Sequence, residues 1–394
     1  PPMVINHEVV DQMPDGSSLG MPSTEITIAE MLNAAGYYTA HIGKWHVGLA
    51  DGMHPLDQGF DQSLRMMGVD KNGHSKAGLL YLPEDHPDAV NAKREDQVVE
   101  RMVWSNAVYN VFWDRNENMQ PKGYLTDYFS KEAEKVIENN QNRPFFLYLA
   151  HWGVHNPLQA KREDYEALGH IEDHHLRVYA AMIKALDRSI GTITNALEAN
   201  GLAENTLVLF TSDNGGVSSG DAFATACLPL RGGKGRQWEG GIRQPFYINA
   251  PGVAKPGSSS DQFATGTDFF PTLLELAGLK LRPGNHIDGQ SLVKDLEGKQ
   301  SERALFWHYP HYSNQGGFPS GAVRMGDWKL VERYEDGRVH LYNLKDDPGE
   351  LKDLKKGNEG LVKSMRARLH AWYKETDAKF LQPKKGQKEK PWRP

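Results

Sequence analysis

Hydrophobic and polar positions fall into blocks that alternate between helical spacing and continuous apolar runs. Thr27-Ile-Ala-Glu30 has the Thr-x-x-Glu spacing of a capping box, and Ile28, Met31, Leu32 and Ala35 then follow on one helical face before Gly36. The short helix predicted there feeds a strand through Tyr37-Tyr-Thr-Ala-His-Ile-Gly43. Residues 131–140, KEAEKVIENN, predict a second helix, and the run Pro144-Phe-Phe-Leu-Tyr-Leu-Ala150 suits a parallel strand covered on both faces. Tyr179, Met182, Ile183, Leu186, Ile190, Ile193 and Leu197 form a further helical stripe ending at Gly201, followed by a buried strand over Thr206-Leu-Val-Leu-Phe-Thr211. Residues 268–277, DFFPTLLELA, add a helix, and Gly284 to Gly289 a polar loop. Such alternation predicts an α/β fold, a doubly wound and mostly parallel sheet with helices on both faces.

After about residue 300 the texture changes. ALFWHYPHY, AVRM, WKLVERY and RVHLYNL are short strand-like pieces with Asp336-Gly337 marking a hairpin turn, and Val362, Met365, Leu369 and Trp372 make a closing helix. The expected organisation is an α/β domain over 1–298, a small C-terminal antiparallel sheet with its helix over 299–378, and a basic Pro-containing tail over 379–394.

Composition narrows the partners. With 394 residues, 39% of them hydrophobic, the chain can bury a large core, and its formal charge of −6 argues against a general nucleic-acid or anionic-membrane surface. Any anion it binds must be held by a local cationic pocket. The single cysteine, Cys227, excludes an internal disulfide and a cysteine-based zinc site. No apolar run approaches the roughly 18 residues of a membrane span, and the opening PPMVINHEVVDQMPDGSS has no targeting signal.

Ligands of open α/β sheets gather at the carboxyl ends of the strands, and there the sequence is unusually polar. Gly43-Lys-Trp-His46 places Lys44 and His46 on one side if the chain stays extended. His151-Trp-Gly-Val-His155-Asn-Pro157 follows FFLYLA, and Ser212-Asp213-Asn214-Gly215-Gly216 follows TLVLF. A fourth stretch, Arg231-Gly-Gly-Lys234-Gly-Arg-Gln-Trp-Glu-Gly-Gly241, is a glycine-rich loop in which backbone can approach a ligand closely. Each alone also has a structural reading: a snorkelling Lys44, satisfied core histidines at His46 and His155, an ordinary turn at Asp213-Asn214. Four together at successive strand exits favour a site.

GYYTAHIGKWHVG resembles a signature of the type I, formylglycine-dependent sulfatases of the alkaline phosphatase superfamily. Similar patterns recur in order as PLDQGFD, PFFLYLAHWGVHNP, NTLVLFTSDNGG, PLRGGKGRQWEGGIRQPF, TDFFPTLLELAG, IDGQSL, AVRMGDWKLV and LYNLKDDPGE, from about residue 24 to 352. Carried over position by position, the resemblance implies that Lys44, His46, His155 and Lys234 contact sulfate or transfer a proton, and that Asp213 and Asn214 are two oxygen ligands of a calcium ion. The chemistry agrees, since fixed cations stabilise the charge of a sulfuryl group, an acid protonates the leaving oxygen, and hard oxygens suit calcium.

The expected function is hydrolysis of a sulfuric ester, on a small sulfate ester or a sulfated saccharide. His151, Trp152, His308 and His311 are candidates for binding the sugar, with Trp307, Tyr309 and Tyr312 beside them. The resemblance also implies a periplasmic or secreted protein. Alternatives remain a phosphomonoester or phosphonate hydrolase of the same superfamily, or a non-catalytic protein binding sulfated glycans.

The family pattern departs in one respect. Its paired aspartates and its Cys/Ser-x-Pro-x-Arg motif, whose first residue becomes the formylglycine nucleophile, have no match upstream of Gly36. Cys227-Leu-Pro-Leu-Arg231 fits the motif in letters, but lies after Asp213-Asn214 and holds bulky leucines at the variable places, so Cys227 is expected to be an ordinary small apolar residue. The expectation is therefore a chain that begins several tens of residues late, carries half of the calcium ligands and is inactive alone.

Overall fold

The structure, a computed structural model, describes residues 20–48, 51–66, 68–69, 75–76, 78–93, 104–105, 107–115, 118–218, 226–299, 302–312, 316–380 and 392. The opening lead-in before Gly20 and all of the basic tail after Phe380 except Trp392 lie outside the described residues. No helix among the described residues is long and apolar enough to cross a membrane.

Helix α1 (Ile28–Ala34) begins at the capping box: Glu30 N–H donates to Thr27 Oγ1 at 3.0 Å, and Thr27 N–H donates to the Glu30 carboxylate at 2.7 Å. It delivers β1 (Tyr38–Lys44), which is followed by β2 (Gln62–Met66), β3 (Ala89–Asn91), β4 (Val111–Trp113) and β5 (Asn118–Met119). Helix α2 (Leu125–Asn139) leads into β6 (Phe145–Ala150) and β7 (Gln159–Lys161). Helix α3 (His174–Ala199) starts where Asp173 accepts the Leu176 N–H. The strands β8 (Val208–Thr211) and β9 (Phe246–Asn249) and helix α4 (Phe269–Leu276) complete this part.

The main sheet runs β6-β1-β2-β4-β5. β6, β1 and β2 are parallel, with Tyr38 opposite Phe145 and Ala40 opposite Gln62, while β4 and β5 add on antiparallel. β1 therefore lies inside the sheet, and its alternation sorts the two faces. Ala40 and Ile42 join Leu64, Phe129, Ala133, Val178, Ala181 and Met182 in the core under α2 and α3. Thr39 and His41 point to the other face, where Ala29, Trp45 and Phe60 cluster. Each fully buried aliphatic side chain of this kind stabilises the fold by about 1.5–3 kcal/mol.

Two strand expectations differ in detail. β6 is parallel to β1 but stands at the edge of the sheet among the described residues, and Tyr148 on it is 45% exposed with its ring against Phe60 and His41. β8 pairs antiparallel with β9, Val208 opposite Asn249, and among the described residues with no strand of the main sheet. Neither β6 nor β8 holds a fully buried residue, so a continuous apolar run predicted the strand but neither its depth nor its partner's direction.

The C-terminal part is a four-stranded antiparallel sheet of β10 (Ala304–Tyr309), β11 (Ser320–Met325), β12 (Trp328–Arg333) and β13 (Val339–Asn343), in that spatial order. Helix α5 (Glu359–Glu375) closes it by burying Met365, Leu369 and Tyr373 against Val323, Leu330 and Leu341.

Candidate active site

β1 builds the first wall. Gly43 pairs with Ala150 at a φ of +114°, and a Cβ there would stand 1.9 Å from the Ala150 carbonyl oxygen, so only glycine lets the strand end this close to β6. Immediately beyond, the ammonium of Lys44 emerges 3.9 Å from an Asp213 carboxylate oxygen at the exit of β8. The same ammonium lies 5.5 Å from the centre of the Trp152 ring, which is buried and stacks on the His155 imidazole at 4.0 Å.

The second wall is the glycine-rich loop. Lys234 N–H donates to the Gly216 carbonyl at 2.9 Å, and Gly215 N–H to the Gly241 carbonyl at 3.2 Å. Gly215 and Gly240 touch so closely that a Cβ on Gly215 would meet the Gly240 carbonyl oxygen at 1.8 Å. The loop of Lys234 and the turn of Asp213-Asn214 are thus one knitted unit. Lys44, His46, His155, Lys234 and Asp213, drawn from four separate stretches, are near enough for their charges to act on one another.

The electrostatics follow from crowding cations in a partly dehydrated place. Burial lowers the Lys44 pKa, Lys234 lowers it further, and the Asp213 carboxylate opposes both. His46 is held below the ordinary histidine range by burial and then by Lys44 and Lys234. His155 is pushed down to about 3, mainly by burial and in smaller part by Lys234, Lys44 and His46, against a hydrogen bond that opposes the shift. That bond joins Nδ1 to the Asn156 carbonyl at 2.8 Å. A neutral ring must donate there, which fixes the proton on Nδ1 and leaves a lone pair on Nε2.

The sugar-binding candidates are scattered. Trp152 is a floor beneath Lys44, with its indole N–H donated to the Leu79 carbonyl at 3.0 Å. His151 turns into the helix layer, its Nε2 at 2.8 Å from the Ser189 hydroxyl, which is itself bonded to Ser130. His308 lies in the C-terminal core with Nδ1 at 2.7 Å from the Tyr334 hydroxyl and Nε2 at 2.6 Å from the Lys379 carbonyl. His311 is exposed beside Tyr309, and the Tyr312 hydroxyl donates to Glu335. Cys227 is partly buried, and its thiol reaches the Gly216 carbonyl at 3.7 Å.

For a metal, Asp213 and Asn214 have the right oxygen chemistry, and the Asp213 side chain is 66% exposed. Calcium takes about six to eight oxygens. Among the described residues no group of three or more His, Cys, Asp or Glu could hold an ion. The two residues fit one side of a calcium shell and do not complete it.

His41 belongs to this site and lay unremarked in the sequence. Its buried ring sits between the Ser63 hydroxyl at 3.0 Å from Nδ1 and the Lys44 carbonyl at 3.2 Å from Nε2. Burial lowers its pKa to about 4, so the neutral ring donates Nε2–H to that carbonyl and pins the residue from which the Lys44 side chain springs. The signal was a polar residue inside an otherwise apolar strand.

The chain is similar in sequence and fold to known sulfatases. The Sulfatase family model matches residues 5–279, and the model of the N-sulphoglucosamine sulphohydrolase C-terminal region matches residues 234–376. A protein named Sulfatase from Formosa agariphila is 30% identical over 91% of the chain, and mouse arylsulfatase J is 28% identical over 90%. The chain spans 72% of the first and 63% of the second. Among solved structures, that of Ps i-CgsB in complex with k-i-k-neocarrahexaose is similar with a TM-score of 0.76 and 28% identity, covering 92% of this chain and 77% of that one.

Proposed function

The chain belongs to the sulfatase family, and from that premise we propose that it hydrolyses sulfate esters of a carbohydrate, with Lys44, His46, His155 and Lys234 as the groups that meet the sulfuryl moiety. The observation that carries the reading is that two lysines and two histidines from three stretches of chain come within electrostatic reach of one another, with Lys44 set between Asp213, from a fourth stretch, and the Trp152 ring. Support for a saccharide comes from the similarity to a protein solved with a neocarrahexaose. A periplasmic or secreted location rests on the family resemblance.

Hydrolysis breaks the sulfur–oxygen bond, the bond pair leaves with the alcohol oxygen, and that oxygen must gain a proton. Lys44 and Lys234 offset the charge of the sulfuryl oxygens before the bond breaks, so the charge meets a site that is already organised. Lys44 is the donor best suited to the leaving oxygen, because its lowered pKa makes its ammonium a stronger acid than a lysine in water. His155, with Nε2 unprotonated, accepts a proton; a bound anion counters the lysines that help hold the ring neutral. Formylglycine supplies the attacking oxygen in this family. Asp213 and Asn214 would present two oxygens to a calcium ion, whose charge would further offset that of the sulfuryl group.

The test is sulfate release from an aryl sulfate and from sulfated oligosaccharides, by the chain alone and by a protein joining it to a formylglycine motif. The joined protein is expected to release sulfate, and Lys44→Ala to lower turnover by roughly 10²–10⁴-fold. No release from any sulfate ester, with formylglycine demonstrably formed, overturns the reading. Faster hydrolysis of matched phosphate esters would move it to the phosphohydrolases.

A further inference from the structure

The loop that carries Lys234 is held from behind by a buried charge cluster that takes no part in the chemistry. Lys329, in β12, is 0% exposed, and its ammonium lies 2.9 Å from a carboxylate oxygen of Glu239 and 2.9 Å from one of Glu350. The other oxygen of Glu350 accepts the Glu239 backbone N–H at 2.6 Å, and Arg324 stands 3.7 Å from the other oxygen of Glu239. Two carboxylates this deep need a cation between them, and among the described residues only Lys329 touches both.

Glu239 directly precedes the two residues, Gly240 and Gly241, whose backbone groups knit the site. It opens the short helix Glu239–Ile242, in which Gly240 N–H donates to the Arg231 carbonyl at 2.8 Å while the Gly241 carbonyl receives Gly215 N–H. The first bond closes the base of the Lys234 loop, and the second joins it to the Asp213-Asn214 turn. Arg231 completes the seat, donating to the Glu350 carbonyl at 3.0 Å and the Tyr342 hydroxyl at 3.2 Å, with its guanidinium 4.1 Å from the Trp238 ring centre. No comparable ion pair ties Lys44 to the C-terminal sheet among the described residues.

We infer that Lys329 is a positioning residue for Lys234: by drawing Glu239 and Glu350 together it locks the 231–241 loop to the C-terminal sheet and so sets where the Lys234 ammonium stands. The consequence for turnover rests on the sulfatase reading, whereas the geometry does not. Lys329 would touch neither sulfate nor sugar, and its effect on turnover would pass chiefly through Lys234.

Two readouts on the full chain test it. In Lys329→Met, hydrogen exchange followed by mass spectrometry is expected to quicken roughly tenfold or more in peptides covering 231–241, with peptides of β1 and β6 unchanged. In the sulfate-releasing protein, Lys329→Met is expected to lower kcat about 10–100-fold, and to cost less than about twofold when added to Lys234→Ala, because the group it places is already gone. Should Lys329→Met not fold, the neutral triple Glu239→Gln/Lys329→Met/Glu350→Gln, which strands no buried carboxylate, takes its place with the same expectations. Unchanged exchange at 231–241 in a folded variant overturns the inference, as does exchange that quickens everywhere alike or a loss of rate that multiplies with that of Lys234→Ala. A joined protein that carries formylglycine and releases no sulfate, but whose loop loosens in the variant, overturns the sulfatase reading and leaves this one standing.

Discussion

A lysine that shares a small space with a second lysine and two imidazoles has to be held there against its own repulsion, and the chain does so with one carboxylate, Asp213, and one indole face, Trp152. His155 beside them stays neutral, held near 3, and two buried histidines outside that space, His41 and His151, are held near 4, with burial the main cause in each. All three lie below the roughly 6.5 of an unfolded chain, so on acidification the unfolded state takes up protons first. Their contribution to stability is complete above about pH 6.5 and is lost progressively as the pH falls toward 3–4. Urea unfolding should therefore show a lower midpoint at about pH 5 than at about pH 7.5, and His151→Asn should flatten that dependence; equal midpoints in the parent would refute the assignment. At this scale the sequence displayed Lys44, His46, His155, Lys234 and Asp213, because each sits among glycines or directly after an apolar run. It did not display His41 or Lys329, since a polar residue inside a strand reveals its partner only when the neighbouring element is in place.

Elements were legible where their signal is local. The capping box of α1, the long stripe of α3 and the closing helix α5 depend on residues three or four apart, and they formed where the spacing predicted. β2, β4 and β5 were missed: QSLRM mixes polar with apolar positions, the other two are only two or three residues long, and although β4 and β5 form a local hairpin, β2 meets β4 only across a long stretch of chain. The antiparallel seam of β8 with β9 is likewise non-local, Thr211 lying opposite Phe246. The most exacting point is the crossing of β1 and β6 at Gly43. Gly43→Ala forces a Cβ against the Ala150 carbonyl at a φ that disfavours any side chain, and should cost roughly 2–5 kcal/mol, read as a drop in the denaturant midpoint with little change in m. A neutral result would mean that the strands part more easily than their register implies.

For the molecule as a whole, the C-terminal sheet is more than a cap on the α/β core. One apolar cluster, centred on Leu330, Leu341 and Leu369, packs the sheet on α5, while Ala322, Val331 and Tyr342 pack with Trp238 of the loop that carries Lys234, to which Lys329 and the nearby Glu350 are also tied. The Lys329–Glu239 contact closes 90 positions of chain, and β1 must find β6 across a comparable separation. Contacts of that span form slowly, after local helices are already present. On refolding from urea, helical signal should therefore return before the exchange protection of residues 231–241, and simultaneous recovery would argue against this order. The anchoring of one loop by a distant sheet thus has a consequence in time: a newly made chain passes through an interval in which it is largely folded and its pocket does not yet exist.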